Sequence, residues 1–307
     1  MENDLGWWAV PLAVLGGAIR VSTPILFVSL GEMLTERSGR INLGLEGTLV
    51  FGAMAGYATA VLTGDPWAGV LLASVAGAVF GLVHGLICSM AKVNDIAIGI
   101  AMMLLGTGLA FYFGKPFIQP VAPDLPSIPF GWWSDVPQVQ AALNVNVLFL
   151  VGIAAAVLLH WGLRSTKPGL ILRVVGDSTD AARAMGLRPA VIRTMATALG
   201  GAFAGVGGAY LSLFYPGSWN EGISSGQGLM AVALVIFARW QPVNCLWAAL
   251  LFGGAGALGP ALQSVGVTEG YYLFYAAPYV LTLGVLIATS SPNRALAGAP
   301  GELSITK

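Results

Sequence analysis

Charge is what this 307-residue chain has least of. Asp, Glu, Lys and Arg make up 9% of it, whereas 56% is hydrophobic and the mean hydropathy is +0.79. Soluble domains carry about a quarter charged residues, so the composition excludes an ordinary water-soluble domain and fits a chain solvated by lipid. Basic and acidic residues number 14 each, which leaves no positive field to hold nucleic acid. Cysteine is nearly missing as well. Cys88 and Cys245 both sit in apolar runs and read as small core residues, against a disulfide or a thiolate metal site.

Reactive motifs are missing too. Without GxxxxGK[ST] the chain has no loop to cradle a nucleotide's phosphates. There is no HExxH and no His/Cys cluster suited to a metal, so neither an enzyme site nor a cofactor is expected. An ion-coupled carrier usually keeps several ionisable groups at mid-membrane, because they are costly there and persist where they are used. Here the candidates are only Arg20, Glu46, His84 and Asp95, and His84 reads as a packing residue. The start "MENDLGWWAV" is acidic and is not expected to be a cleavable secretion signal.

What is there is a series of apolar runs. About 20 such residues span the hydrocarbon core. Spans are expected near 12–35, 42–62, 67–90, 95–113, 144–163, 194–215, 227–240, 243–262 and 271–290. The fold class is therefore an all-α integral membrane protein of about nine helices, eight or ten being the alternatives, in one domain over 1–307. The segment 164–193 holds six of the fourteen Lys and Arg residues, which places it in the cytoplasm. Counting outward from it puts Arg37, Arg40, Lys92, Arg239, Arg294 and the C-terminus on the same side. The Pro- and Trp-rich loop from Lys115 to Leu143 falls outside, with Trp132 and Trp133 as interfacial anchors.

Two stretches resemble each other. Pro66, Ala73, Gly77, Leu82 and Leu86 recur as Pro242, Ala249, Gly253, Leu258 and Leu262, and Glu46–Gly47 recurs as Glu221–Gly222. The copies lie five spans apart and so cross in opposite directions, an inverted internal repeat of the kind transporters use. Small-residue stripes such as "GGAFAGVGGAY" read as helix-packing surfaces.

The basic segment has an order of its own. Asp177 or Ser178 can cap a short helix from Thr179 to Met185, Gly186 can end it, and a new helix follows Pro189. A short exposed helix with small residues on one face suits a groove on a soluble partner. "VVGDSTDAARAMGL" resembles the coupling loop of ABC importer permeases in the branched-chain amino acid and ribose permease superfamily. "TPILFVSLGEMLTERSGRINLGLEG", "GGAFAGVGGAYLSL" and "EGISSGQGLMAVALVIFARWQP" resemble the branch that imports nucleosides with basic-membrane-protein-type binding lipoproteins.

That resemblance, covering roughly residues 20 to 290, implies an importer permease of the bacterial cytoplasmic (inner) membrane without catalytic activity of its own. It implies a second permease subunit, an ATPase subunit that binds ATP and an extracytoplasmic substrate-binding lipoprotein. Gly176, Asp177, Ala181, Ala182 and Gly186 would be the contacts with the ATPase. Asn42, Glu46, Asn94 and Asp95 are candidates for the substrate pathway. For Glu46, pairing with Arg40 or capping a helix is the alternative. In this branch the fourth span usually begins with Asn-Gln and carries a later Asn; here Asn94–Asp95 and Met103 stand in those places. A nucleoside or nucleobase-like solute is expected. The alternatives are a sugar, an amino acid or another nitrogenous solute in the same class, or a stand-alone carrier or facilitator.

Overall fold

The computed structural model describes residues 7, 9–267, 269, 270, 273, 274, 276–289 and 298–304. Arg294 and Lys307, used above for orientation, lie outside them. Among the described residues thirteen α-helices run in chain order: α1 (Ala9–Arg37), α2 (Leu45–Thr63), α3 (Pro66–Ile87), α4 (Asp95–Gly114), α5 (Pro137–Ala142), α6 (Val147–Ser165), α7 (Lys167–Asp177), α8 (Thr179–Ala184), α9 (Pro189–Leu213), α10 (Gln227–Phe237), α11 (Pro242–Gln263), α12 (Ala277–Thr289) and α13 (Gly301–Ser304). The loop after α4 carries β1 (Ser127–Pro129), which pairs antiparallel with β2 (Asn144–Asn146). This small ribbon was not expected of an all-α chain.

Helix starts follow side-chain chemistry. Asp65 accepts the Trp67 amide at 2.9 Å with Pro66 in the first turn, and Asn94 accepts the amides of Ile96 and Ala97. Asn146 caps α6 through Leu148, Thr166 caps α7 through Gly169 with Pro168 behind it, and Ser178 caps α8 through Ala181. Each side chain satisfies a backbone N–H that has no partner within its helix.

A helix lies on each of the nine expected spans, but among the described residues only seven are long and apolar enough to cross a membrane. The shortfall is α10, with 11 residues, and α12, with 13. For α10 the reason is visible. The chain leaving α9 returns into the protein as an irregular segment, so the helix begins part-way through.

The centre of the bundle is α1 and α9, crossing antiparallel: Gly31 backs onto Gly200, and Gly207 onto the carbonyl of Pro24. α3 runs antiparallel along α9, with Gly77 against Gly201 and Gly85 against Thr194; α11 runs antiparallel along α1, with Gly253 against Ala18 and Ser22. At Gly77 and Gly201 a Cβ would meet the facing carbonyl oxygen. Lipid gives helices no hydrophobic reason to associate, so close backbone approach supplies the attraction. The apolar core, including Phe27, Leu49, Tyr210 and Trp219, fills the space around this crossing.

Candidate functional site

The charged stretch between α1 and α2 organises the polar interior. Glu32 and Glu36, one turn apart on α1, are both buried. Glu32 Oε1 accepts the backbone amide of Asn42 at 2.9 Å, and Glu36 accepts the indole N–H of Trp240. Arg37 Nε donates to the Trp240 carbonyl at 2.9 Å, and Arg40 Nη1 pairs with Asp95 Oδ1 at 2.6 Å. Of the alternatives for Glu46, pairing with Arg40 is therefore taken up elsewhere.

The bond from Asn42 to Glu32 means that the chain, having left α1 at Arg37, climbs back alongside it. Asn42 then accepts the Gly44 amide at 3.0 Å and starts α2 inside the protein. Depth follows from α4. Gly47 lies against the carbonyls of Met102 and Met103, and Gly106 against the Gly47 carbonyl. At 1.5 Å per residue these points lie about 10–17 Å along α4 from Asp95, near its middle.

The segment 214–226 approaches the same level from the opposite face. Buried Trp219 sits against Gly114, the last residue of α4, and the segment then descends to Glu46. Glu46 is the cap of α10. Its Oε1 accepts from the Ser224 hydroxyl at 2.6 Å and the Gly226 amide at 3.2 Å; its Oε2 accepts from the amides of Gly228 at 2.6 Å and Leu229 at 3.3 Å. A carboxylate there satisfies three orphan N–H groups and lies at the positive end of the α10 dipole. Two helices, α2 and α10, thus begin at mid-depth with their first turns facing each other.

The faces of this junction differ. Ser224, Gly228 and Glu46 are buried, whereas Asn220, Glu221, Gly222 and Ser225 are exposed on the surface of the chain. Tyr279 of α12 reaches over to donate its hydroxyl to the Ser225 carbonyl at 2.8 Å. Non-helical backbone at membrane depth is tolerated only when buried in protein or lining a water-filled cavity.

The four pathway candidates are brought to one side of the molecule, each with a structural partner: Asn42 fixes the turn before α2, Asn94 caps α4, Asp95 holds Arg40, and Glu46 caps α10. Asn220, Glu221, Ser225 and Tyr279 were not singled out as site residues from the sequence. The signal was present in "YPGSWNEGISSGQG", a Gly/Ser-rich polar run where a span would end. The Glu-Gly recurrence does not survive, because Glu46 lies in the first turn of α2 while Glu221 lies six residues before α10.

On the face that carries the α1 and α6 ends, α7 and α8 form the arginine-bearing segment. Ser178, not Asp177, is its N-cap, and Gly186 (φ +76°) ends α8, its amide donating to the Arg183 carbonyl. Gly176 is buried against the Arg37 carbonyl and Ala182 is wholly buried, so these two hold the segment to the bundle. Asp177, Ala181 and Gly186 face outward with Arg183 and Met185, the last 64% exposed. The whole of α7 was missed in the sequence, although Thr166-Lys-Pro168 is a helix-start pattern.

Residues 298–304 lie beneath this segment. Glu302 Oε1 accepts the Thr179 amide at 2.6 Å and its Oε2 faces Arg193 at 3.4 Å, while Arg193 also donates to the Ser38 and Val175 carbonyls. Partial burial alone would raise the Glu302 carboxyl; donation by Thr179 and the Arg193 charge outweigh it and hold the group below the usual carboxylate range.

Comparison with known proteins agrees with this architecture. Residues 6–289 match the family described as "Branched-chain amino acid transport system / permease component", and the chain belongs to it. It is 33% identical over 259 residues (83% of this chain, 79% of the relative) to the putative glucose ABC transporter permease protein TsgC13 of Haloferax volcanii. It is 28% identical over 290 residues (89% and 90%) to the nucleoside ABC transporter permease protein NupC of Lactococcus lactis. Similarity to the guanosine ABC transporter permease protein NupQ of Bacillus subtilis is 29% over 286 residues (85% and 87%). This is a multi-pass membrane protein of the ABC permease class.

Proposed function

We propose that the chain is one of two permease subunits of an ATP-driven importer, and that it moves a nucleoside or nucleobase-like solute. The observation that carries the reading is the exposed polar surface of Asn220, Glu221, Gly222 and Ser225, on a non-helical segment that runs from the end of α4 down to Glu46. In lipid such backbone needs water or protein over it, and a second permease subunit facing it would enclose a polar pathway. Asn220, Glu221 and Ser225 would line that pathway, and Glu46 would set the position of the loop that bears them. Asn42, Asn94 and Asp95 would act from behind, through the helix starts and the Arg40 pair.

In this reading the face with α7 and α8 is cytoplasmic, the C-terminus lies on that side, and 1–307 forms one permease domain with nine crossings. Residues 164–193 would couple to the ATPase, which binds and hydrolyses the nucleotide, so the chain itself is no enzyme and needs no cofactor. Asp177, Ala181 and Gly186 would touch the motor, with Gly176 and Ala182 bracing them. An inverted repeat relating α1–α4 to α9–α12 fits the packing, since α3 lies on α9 as α11 lies on α1, each pair antiparallel. An extracytoplasmic lipoprotein would deliver the solute.

The relatives named for guanosine and nucleoside transport support the solute class. The relative named for glucose favours a second reading, a sugar. Uptake by cells expressing the complete transporter decides between them. Labelled guanosine should be taken up and be competed by other nucleosides, not by glucose, and uptake should vanish when the phosphate-binding lysine of the ATPase is replaced. Competition by glucose alone would establish the sugar reading, and uptake that survives the dead ATPase would mean a stand-alone carrier.

A further inference from the structure

Beside the arginine-bearing segment, on its other flank from Glu302, the end of α1, the last turn of α6, α7 and the turn between α10 and α11 enclose a cavity of about 220 Å³. Arg37, His160, Arg164 and Arg173 line it, with Trp240 and Gln241. Among the described residues, no carboxylate is in its walls.

In a chain with so few charges this grouping needs an explanation. Three ion pairs form among the described residues, Arg40–Asp95, Arg183–Asp180 and Arg193–Glu302, and none involves Arg37, Arg164 or Arg173. Arg37 spends its Nε on the Trp240 carbonyl, and Arg173 Nε is buried with no hydrogen-bond partner. Nearby carboxylates do not supply the missing charge. Asp177 acts on Arg37 through space but makes no ion pair, and Glu36 lies behind Trp240, whose indole it accepts. Three guanidiniums gathered with no ion pair, and only Asp177 acting on one of them through space, repel one another, and planar guanidinium forks suit a phosphate's oxygens.

The walls also say where the anion comes from. α6 carries exposed Leu158 and Trp161, and α11 carries exposed Trp247 and Leu251. In a membrane these exposed apolar surfaces would meet lipid, and the cavity lies where α6 ends and α11 begins. We infer that this cavity binds the phosphate of an anionic phospholipid headgroup in the leaflet next to the arginine-bearing segment. Bound there, the headgroup ties α7 to α1 and α11 and so steadies the element that meets the motor. The inference needs only the membrane setting and is independent of the solute.

Native mass spectrometry of the full-length protein, with phosphatidylglycerol and phosphatidylcholine added in turn, tests it. Phosphatidylglycerol should be retained at least fivefold over phosphatidylcholine, and Arg164→Gln with Arg173→Gln should abolish the preference. Because Arg173 is partly buried, Arg164→Gln alone, on an exposed side chain, serves as a second variant and should cut the preference about threefold by removing one of three forks. Arg183→Gln with Arg188→Gln removes equal charge elsewhere on that face and should change nothing. The inference is overturned if the two pairs of substitutions act alike, if neither lipid is preferred, or if inorganic phosphate at millimolar concentration displaces the lipid and protects the protein equally, which would assign the cavity to a soluble anion.

Discussion

The crossing of α1, α3, α9 and α11 and the junction of α2 with α10 lie side by side in one chain and are held by opposite means. At the crossing there is almost nothing but backbone: Gly31 on Gly200, Gly77 on Gly201, Gly253 on Ser22. At the junction a single carboxylate gathers four donors, two from the non-helical segment before α10 and two from its first turn. In a solvent that neither rewards apolar contact nor hydrogen-bonds stray amides, close approach builds the frame and polar satisfaction builds the exceptions. The exceptions are where function is expected.

If that contrast is right, the frame should fail by steric crowding and the junction by lost acceptors. The largest effect is expected from Gly201→Leu. The new side chain has no room against Gly77, overpacking costs about 1–3 kcal/mol or more, and two helices must separate. Detergent-solubilised protein should lose its monodisperse peak in size-exclusion chromatography. Gly108→Ala, in α4 with nothing within 4 Å of the added carbon, should elute normally. Comparable loss in both would remove the distinction.

Next comes Glu46→Ala, which strands the Ser224 hydroxyl and three amides. An unsatisfied buried donor costs about 1–3 kcal/mol, so the melting temperature should fall by several degrees and uptake at least tenfold. Glu46→Gln keeps one acceptor oxygen and should lie between the two. Full uptake by the alanine variant would show that the loop holds its position without the carboxylate.

A smaller and more selective effect is expected at the arginine-bearing segment. Met185→Glu changes an exposed side chain, so the melting temperature should stay within a degree while solute-stimulated ATPase activity of the assembled transporter drops about threefold or more. Unchanged coupling would take the outward face of α8 out of the proposed contact with the motor.

The smallest concerns Glu302. Its carboxyl is held below the usual range in the folded protein. The clamp on Thr179 and Arg193 is therefore fully present above the ordinary carboxylate pKa and weakens as pH falls through the depressed one. Glu302→Gln at neutral pH should reproduce the acid behaviour, seen as faster amide exchange at Thr179 and Asp180 with the core unaffected. A variant whose exchange matched the parent at neutral pH would show that charge plays no part there.

Much of the frame was legible in the sequence because lipid-spanning helices announce themselves by length and by small-residue spacing. Asp177 or Ser178 and then Pro189 marked helix starts from local chemistry alone. The junction was not legible, for a physical reason. Glu46 is one turn into an apolar run, and nothing local tells that its partners lie 178 to 183 positions further on. Hydropathy likewise counts residues along the chain, not depth. It therefore set Glu46 four residues into a span expected to begin at 42, when the chain had already climbed back along α1 before the helix began. Ala182 was misjudged in the same way, since a short helix of small residues has two faces and spacing does not say which one the bundle keeps.

The grip of Glu46 on α10 also limits how this molecule can move. Withdrawing α10 from α2 would break four bonds together and leave a bare carboxylate in a dry place, so the two halves of the chain are stapled at their midpoint. A gate that works by prying those halves apart would meet a steep barrier. In the proposed pair of permease subunits, alternation between inward and outward states would then be better served by tilting the whole subunit as a rigid body, with the hinge lying between subunits.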